Sequence, residues 1–311
     1  MRQSLLYPLI LKKNTLLPFL FCNFLILCLF QAGYAASLTI TDDLGQKISL
    51  SRPATRIVSL YGGITDILLA LKLKQHIVGW TRQDQKEWKS SIPSIGTHMR
   101  PNLEIILSLK PDLILQMGKA RHSLLPLAHL KKYHIPIAVF NPTNFQTLFQ
   151  TIQKIGLLTG KYHQAQLLVK HYALTLRNLH TQNIPLSQRP RIFFEVRYPN
   201  LLSAGQNSIV SDIIYQAGGI NVINAPKRLV RISEETLLSL NPDVYIIQKG
   251  PMNKNIIPPS KRSVFAHLKC VQKGLVFIVS EKKFSRPGPR TIQAAIQLHN
   301  FLQTHNLLPK P

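Results

Sequence analysis

Apolar positions along the chain fall into short blocks separated by polar, glycine or proline punctuation. Residues 56–60 (RIVSL), 77–80 (IVGW), 113–115 (LIL), 135–140 (IPIAVF), 191–196 (RIFFEV), 244–247 (VYII) and 275–279 (LVFIV) are short and almost uniformly apolar. Such runs read as buried strands. Between them lie helix-length segments. Thr65 is placed to cap a helix running to Leu71 with Asp66 in its first turn, after a loop at Tyr61, Gly62 and Gly63. Residues 208–216 form another helix, closed by Gly218 and Gly219. Alternating strands and helices imply α/β lobes with mainly parallel central sheets.

One block occurs twice. Residues 104–115 (EIILSLKPDLIL) match 235–246 (ETLLSLNPDVYI), with identity at Glu104/Glu235, Leu107/Leu238, Ser108/Ser239, Leu109/Leu240, Pro111/Pro242 and Asp112/Asp243. Each copy predicts a short helix stopped by its proline, then a strand. Residues 161–182 differ in character. They contain no glycine or proline, and Ala165, Leu168, Tyr172, Leu176 and Leu179 share one helical face. Such a helix is about 30 Å long. The expected organisation is a first α/β lobe over residues 37–160, a linking helix over 161–183 and a second lobe over 184–311. A rigid link predicts limited hinging, and the cleft between lobes is the default ligand site.

The first 35 residues read as a signal peptide. Arg2, Lys12 and Lys13 precede an apolar stretch over 16–30, and Gly33 and Ala35 suit cleavage after Ala35 or Ala36. The stretch is short for an uncleaved span, and Leu27 before Cys28 does not suit a lipobox. Export is therefore expected. Cys22 and Cys28 leave with the signal, so Cys270 has no intrachain partner. Removing the three basic signal residues from the formal +25 leaves +22. That field favours anionic partners, and export separates the chain from nucleic acid.

The order DDLGQ (42–46), RIVSL (56–60), TDIL (65–68), VG (78–79), Gly96, PNLE (101–104), LKPD (109–112), AG (204–205), Ser208, GGIN (218–221) and FSRPGPR (284–290) resembles the iron-siderophore/cobalamin family of periplasmic solute-binding proteins. The resemblance spans about residues 38–302. It implies two lobes, a ligand in the cleft, and delivery to the permease and ATPase of an ABC importer by a monomeric carrier. It also implies one acidic permease-docking residue per lobe, which fall here on Glu104 and Glu235. From the residues alone, Asn102 and Ser233 before them are good N-caps, and an acid in a first turn also serves its own helix.

No CxxC, HxxxH or carboxylate cluster marks a site for a bare metal, and the 11 histidines are scattered. A chelated metal needs no protein ligands. Candidate ligand contacts are Tyr61, Arg82, His98, Arg100, Arg197, Tyr198, Arg231 and Arg286, with Lys119, Arg121 and Arg228 on neighbouring loops. All follow strands or precede the paired helices, where α/β folds bind ligands. Arginine suits carboxylate, catecholate or phosphate oxygens. Tyr61 and Tyr198 could stack on a planar ligand. Cobalamin binders of the family carry cleft aromatics, whereas Gln83, His98, Met117 and Leu229 stand at those places here. A small anionic chelate such as a ferric siderophore is the first expectation. Haem, with Tyr61, His98 or Tyr198 as its ligand, and cobalamin are the alternatives. Enzyme motifs are missing, and Glu195 stands as a lone acid at a strand end. A basic protein that holds envelope polymers explains neither the repeat nor the long helix.

Overall fold

The computed structural model describes residues 37–309, with the side chains of His122 and Lys131 excepted. The predicted signal segment and its cleavage site lie outside the described residues. A hairpin of β1 (Leu38–Thr41) and β2 (Lys47–Leu50) precedes the first sheet. That sheet contains β3 (Ile57–Ser59) and β4 (Ile77–Gly79), then, beyond a small ribbon of β5 (Gly96–Thr97) and β6 (Arg100–Pro101), β7 (Leu113–Met117) and β8 (Ile137–Phe140). The order is β4-β3-β7-β8, all parallel.

The second sheet repeats this plan. Its parallel strands are β9 (Arg191–Arg197), β11 (Ile220–Asn221), β13 (Val244–Lys249) and β14 (Val276–Ser280), in the order β11-β9-β13-β14. β10 (Leu202–Ala204) and β12 (Leu229–Arg231) extend it antiparallel beside β9. In both halves the first strand lies inside the sheet, the second flanks it, and the third and fourth follow on the other side. The sequence echo is thus a duplicated four-stranded unit.

Its Pro-Asp step has the same job twice. Asp112 accepts from the backbone N–H groups of Thr55 and Arg56, both at 2.9 Å, at the entry to β3. Asp243 accepts from the N–H of Arg191 at 2.7 Å, at the entry to β9. Each acid therefore pins the start of the neighbouring strand. The preceding helices, Leu103–Ser108 and Glu234–Leu240, are capped by Asn102 and Ser233, whose side chains accept from Ile105 N and Thr236 N. Lys110 and Asn241 carry positive φ and turn the chain toward the prolines.

The central strands of both sheets are buried on two faces, as parallel strands require, while β14 at the edge leaves Ile278 exposed. Ile57, Leu115 and Phe140 of the first sheet share one apolar cluster with Ile192, Phe194 and Ile246 of the second. Helices Gly62–Ala70, Phe145–Leu158, Ile209–Gln216 and Arg290–Thr304 contribute to it. The outer faces pack separately, around Ile106, Ile114 and Leu127 in one half and Leu237, Tyr245 and Phe265 in the other.

The linking helix is shorter than expected. It runs Tyr162–Arg177, 16 residues or about 24 Å. His180 at φ 54° breaks the path, and Thr181–Asn183 is a separate 3-10 turn. The predicted face is the packed one: Ala165 and Leu176 are buried, and Leu168, Tyr172 and Leu179 lie against the shared core. The helix contacts Phe145–Leu158 of the first half and Arg290–Thr304 of the second, so it joins both. Thr65 does not cap the first helix. The helix begins at Gly62 with Tyr61 at the N-cap, and Thr65 is buried within it, its hydroxyl 2.8 Å from that of Ser59. Asp66 is accordingly outside the first turn. The glycine pair looked like a loop; its actual use is a close approach between halves.

Candidate ligand cleft and docking face

The C-terminal ends of the two sheets face each other. After β3 the chain enters Tyr61, Gly62 and Gly63; after β14 it runs from Glu281 through Arg286, Pro287 and Gly288. A Cβ on Gly63 would sit 2.0 Å from the Pro287 carbonyl oxygen, and one on Gly288 would sit 3.2 Å from the Gly63 Cα. Only glycine allows these backbones to touch. The junction of these two loops is the candidate ligand crevice.

Charged groups gather there. Arg286 is 7% exposed. Its Nε donates to both Glu281 oxygens at 3.0 Å, and Nη2 donates to Oε2 at 2.8 Å. The remaining nitrogen, Nη1, lies 2.9 Å from where a Gly62 Cβ would be. Tyr61 is half-buried, and burial raises its phenol pKa, opposed by the positive charges of Arg228 and Arg286 and assisted by Glu281 and Asp84. The His98 ring meets Tyr61 edge-on, with centroids 5.6 Å apart. Asp84 is buried and its pKa is raised by desolvation, against the Thr81 hydroxyl hydrogen bond at 2.5 Å and the Arg286 charge. The crevice thus combines two aromatic rings with two arginines and two acids.

Of the sequence candidates, Tyr61, His98 and Arg286 are brought together here; Arg228 is exposed, and its charge acts on Tyr61. Arg82 is exposed at the first position of the helix Arg82–Trp88. Arg100 and Arg231 are exposed at the ends of β6 and β12. Arg197 is half-buried; Nη2 reaches the Asn200 carbonyl at 3.4 Å, and the buried Nε has no hydrogen-bond partner among the described residues. Tyr198 packs against the outer core of the second half. Arg262 lies 3.8 Å over its ring, Phe265 meets it edge-on, and its hydroxyl donates to Glu234 at 3.4 Å.

Sequence reasoning missed the acids that join the halves. Arg290 donates to Asp66 at 2.9 Å and to Glu87 at 2.5 Å, and Lys282 pairs with Glu87 at 3.0 Å. Asp212 accepts from the Phe145 N–H at 2.6 Å, completing the helix start of the other half. No local spacing announces these pairs, because the Arg290 partners lie 224 and 203 residues away. Glu195 is likewise not alone. It is fully buried and bonded to Tyr245, Asn253 and Arg262 at 2.6, 2.9 and 2.5 Å.

All 13 acids of the chain fall among the described residues. Most are committed to partners: Asp42 to three backbone N–H groups, Asp43 to Lys154, Asp84 to Thr81, Glu234 to Tyr198, and the others as above. Three are exposed, namely Glu104, Glu235 and Asp243, and Asp243 is engaged by Arg191. Glu104 has no hydrogen-bond or ion-pair partner among the described residues. Glu235 is held only by its own N-cap, Ser233, and its own backbone N–H, which lower its pKa. Both occupy the second position of their helices. Those helices end at the strand-entry edge, where Asp112 and Asp243 bind, so both glutamates lie toward the opposite, cleft-side edge.

Among the described residues, no group of three or more His, Cys, Asp or Glu is placed to hold a metal ion, and no helix is long and apolar enough to cross a membrane. A model of the family described as "Periplasmic binding protein" matches residues 57–281. The chain is 27% identical to an uncharacterized ABC transporter substrate-binding lipoprotein, YvrC, of Bacillus subtilis, over 84% of this chain and 83% of that protein. It is 26% identical to a vitamin B12-binding protein of Photorhabdus laumondii, over 80% and 88%. The fold superposes on the apo periplasmic heme-binding protein RhuT of Roseiflexus sp. RS-1 with a TM-score of 0.69 at 23% identity, covering 81% of this chain and 98% of that one. With its duplicated α/β halves and linking helix, the chain belongs to the periplasmic binding protein family of ABC importers, and its homologues are substrate-binding transport proteins rather than enzymes.

Proposed function

We propose that this protein is exported, loses its signal segment near Ala35, and captures a small anionic iron chelate in the crevice, a ferric siderophore before other ligands. It then hands the chelate to an importer permease through Glu104 and Glu235. The observation that carries the delivery reading is the census of acids: thirteen carboxylates, of which the two exposed and uncommitted ones are the matched pair of the repeat. On so basic a surface two such carboxylates are distinctive contacts for cationic groups of a partner. The siderophore reading rests on the positive charges of Arg228 and Arg286 that act on Tyr61, on the +22 field, and on a chelate bringing its own metal ligands. Arg286 Nη1 is the fork nitrogen that Glu281 leaves over. A rigid link suits capture by a nearly preformed site, with release when docking draws the glutamates apart.

Haem is the second reading, favoured by the Tyr61–His98 pair, which sets an oxygen and an imidazole on one wall of the crevice. The relatives named for vitamin B12 keep cobalamin as a third ligand. The test is absorbance of protein purified from its host, with equilibrium titration of the stripped protein by hemin, cyanocobalamin, and ferric catecholate and hydroxamate chelates. The account predicts a charge-transfer band of a ferric chelate and its tightest binding in the titration. A Soret band with tight hemin binding would replace it with haem. A corrin spectrum with preference for cyanocobalamin would contradict both.

A further inference from the structure

The repeat carries a second pair of uncommitted charges, and its position argues against a ligand role. Arg100 stands two residues before the N-cap Asn102, and Glu104 stands two residues after it. Arg231 stands two residues before the N-cap Ser233, and Glu235 two after. Both lie at the margin of an antiparallel strand: Arg100 opens β6, which pairs with β5, and Arg231 closes β12, which pairs with β10. Both are exposed, and neither guanidinium has a hydrogen-bond or ion-pair partner among the described residues. Each half therefore presents an arginine and a glutamate in the same order around the same kind of helix start. Arg286, by contrast, is buried and braced by Glu281.

We propose that Arg100 and Arg231 are the cationic half of the docking footprint, received by acidic groups on two symmetry-related membrane subunits of the importer. The inference rests on the docking reading of Glu104 and Glu235. A chelate in the crevice is one object and has no need of the same charge pair twice. A partner made of two like subunits offers each of its contacts twice, related by a two-fold axis, and a duplicated Arg–Glu pair matches that. The pair also answers an electrostatic difficulty. Basic groups that meet the glutamates would be repelled by a +22 molecule, and acidic neighbours meeting Arg100 and Arg231 relieve this. Alternating signs further fix the register of docking and disfavour wrong partners.

The test uses the mature protein and its importer in lipid nanodiscs, with association followed by interferometry. Arg100→Glu/Arg231→Glu is expected to slow association at least about tenfold, since exposed interface charges act mainly on that rate. Binding of hemin, cyanocobalamin and a ferric hydroxamate stays as in the wild type. Arg100→Gln/Arg231→Gln, which only removes the charges, loses a smaller factor and serves where reversal disturbs folding. Wild-type association by both variants overturns the proposal. So does a loss of probe affinity with docking intact, or an equal loss on importer-free nanodiscs, which assigns the arginines to lipid. Glu104→Lys/Glu235→Lys separates the two ideas. If it docks normally, the docking reading itself fails; if it alone loses docking, only the role of the arginines fails.

Discussion

Glu195 is fully buried, and its carboxylate is shared among Tyr245, Asn253 and Arg262. In the sequence it is a solitary acid at the end of an apolar strand, open to reading as a general base. Its partners lie 50, 58 and 67 residues away, so no spacing rule reaches them. Arg262 is 5% exposed and also covers the Tyr198 ring. Removing one member of such a pair leaves an unpaired charge in a low-dielectric interior. Arg262→Met is therefore expected to lower unfolding free energy by about 3–5 kcal/mol in denaturant titrations. Glu195→Gln/Arg262→Met should recover a large part of that loss, because no bare charge remains. A double variant as unstable as the sum of the singles would show that the two residues act separately. The same limit applies to the crevice. Tyr61 and Arg286 stand out in the sequence by their places after strands, whereas Asp84 and Glu281, which set their charge environment, carry no signal of that kind.

At the scale of elements, the duplicated segment was fully readable, since identical residues at matched spacing made the same helix, turn and strand twice. Its physical content emerged only in three dimensions: Asp112 and Asp243 hold the entries of β3 and β9. Asp112 accepts two backbone N–H groups and the Thr55 hydroxyl, and Asp243 accepts one N–H at a more exposed place. Asp112→Ala is expected to cost about 2 kcal/mol and Asp243→Ala about 1 kcal/mol, from the number of hydrogen bonds lost. Equal losses would mean that the acids act through general charge rather than through strand entry. Two element boundaries were misread for one reason. Local preference placed a loop at Gly62–Gly63 and extended the linking helix to residue 182. Contact between halves needs glycine inside a helix start, and a left-handed His180 ends the long helix without glycine or proline.

The whole molecule joins its halves through a shared apolar core, a touching pair of backbones and a set of buried-edge ion pairs. Asp66 is the strained member. Burial pushes its carboxyl up to about 6, because desolvation outweighs the help of Arg290, which shares its fork with Glu87. The folded chain thus holds this proton more tightly than the unfolded chain. Its contribution is neutral below about pH 4, becomes destabilising as pH rises to about 6, and is constant above that. Unfolding of wild type and Asp66→Asn at pH 4 and pH 7 isolates the effect. Relative to the variant, the wild type should lose up to about 3 kcal/mol across that range, at about 1.4 kcal/mol per unit. A difference that grows in favour of the wild type would mean that the Arg290 pair outweighs burial.

The same scale decides function. A carrier must do two separable things, hold its ligand and present itself to an importer, and the reading proposed above places them on different residues. The most direct measurement compares uptake into importer-loaded vesicles with chelate affinity, for wild type and Glu104→Lys/Glu235→Lys on the same preparations. The account predicts that uptake collapses while the dissociation constant of the chelate is unchanged. Undiminished uptake by the reversed protein, or an equal fall in affinity, would contradict it.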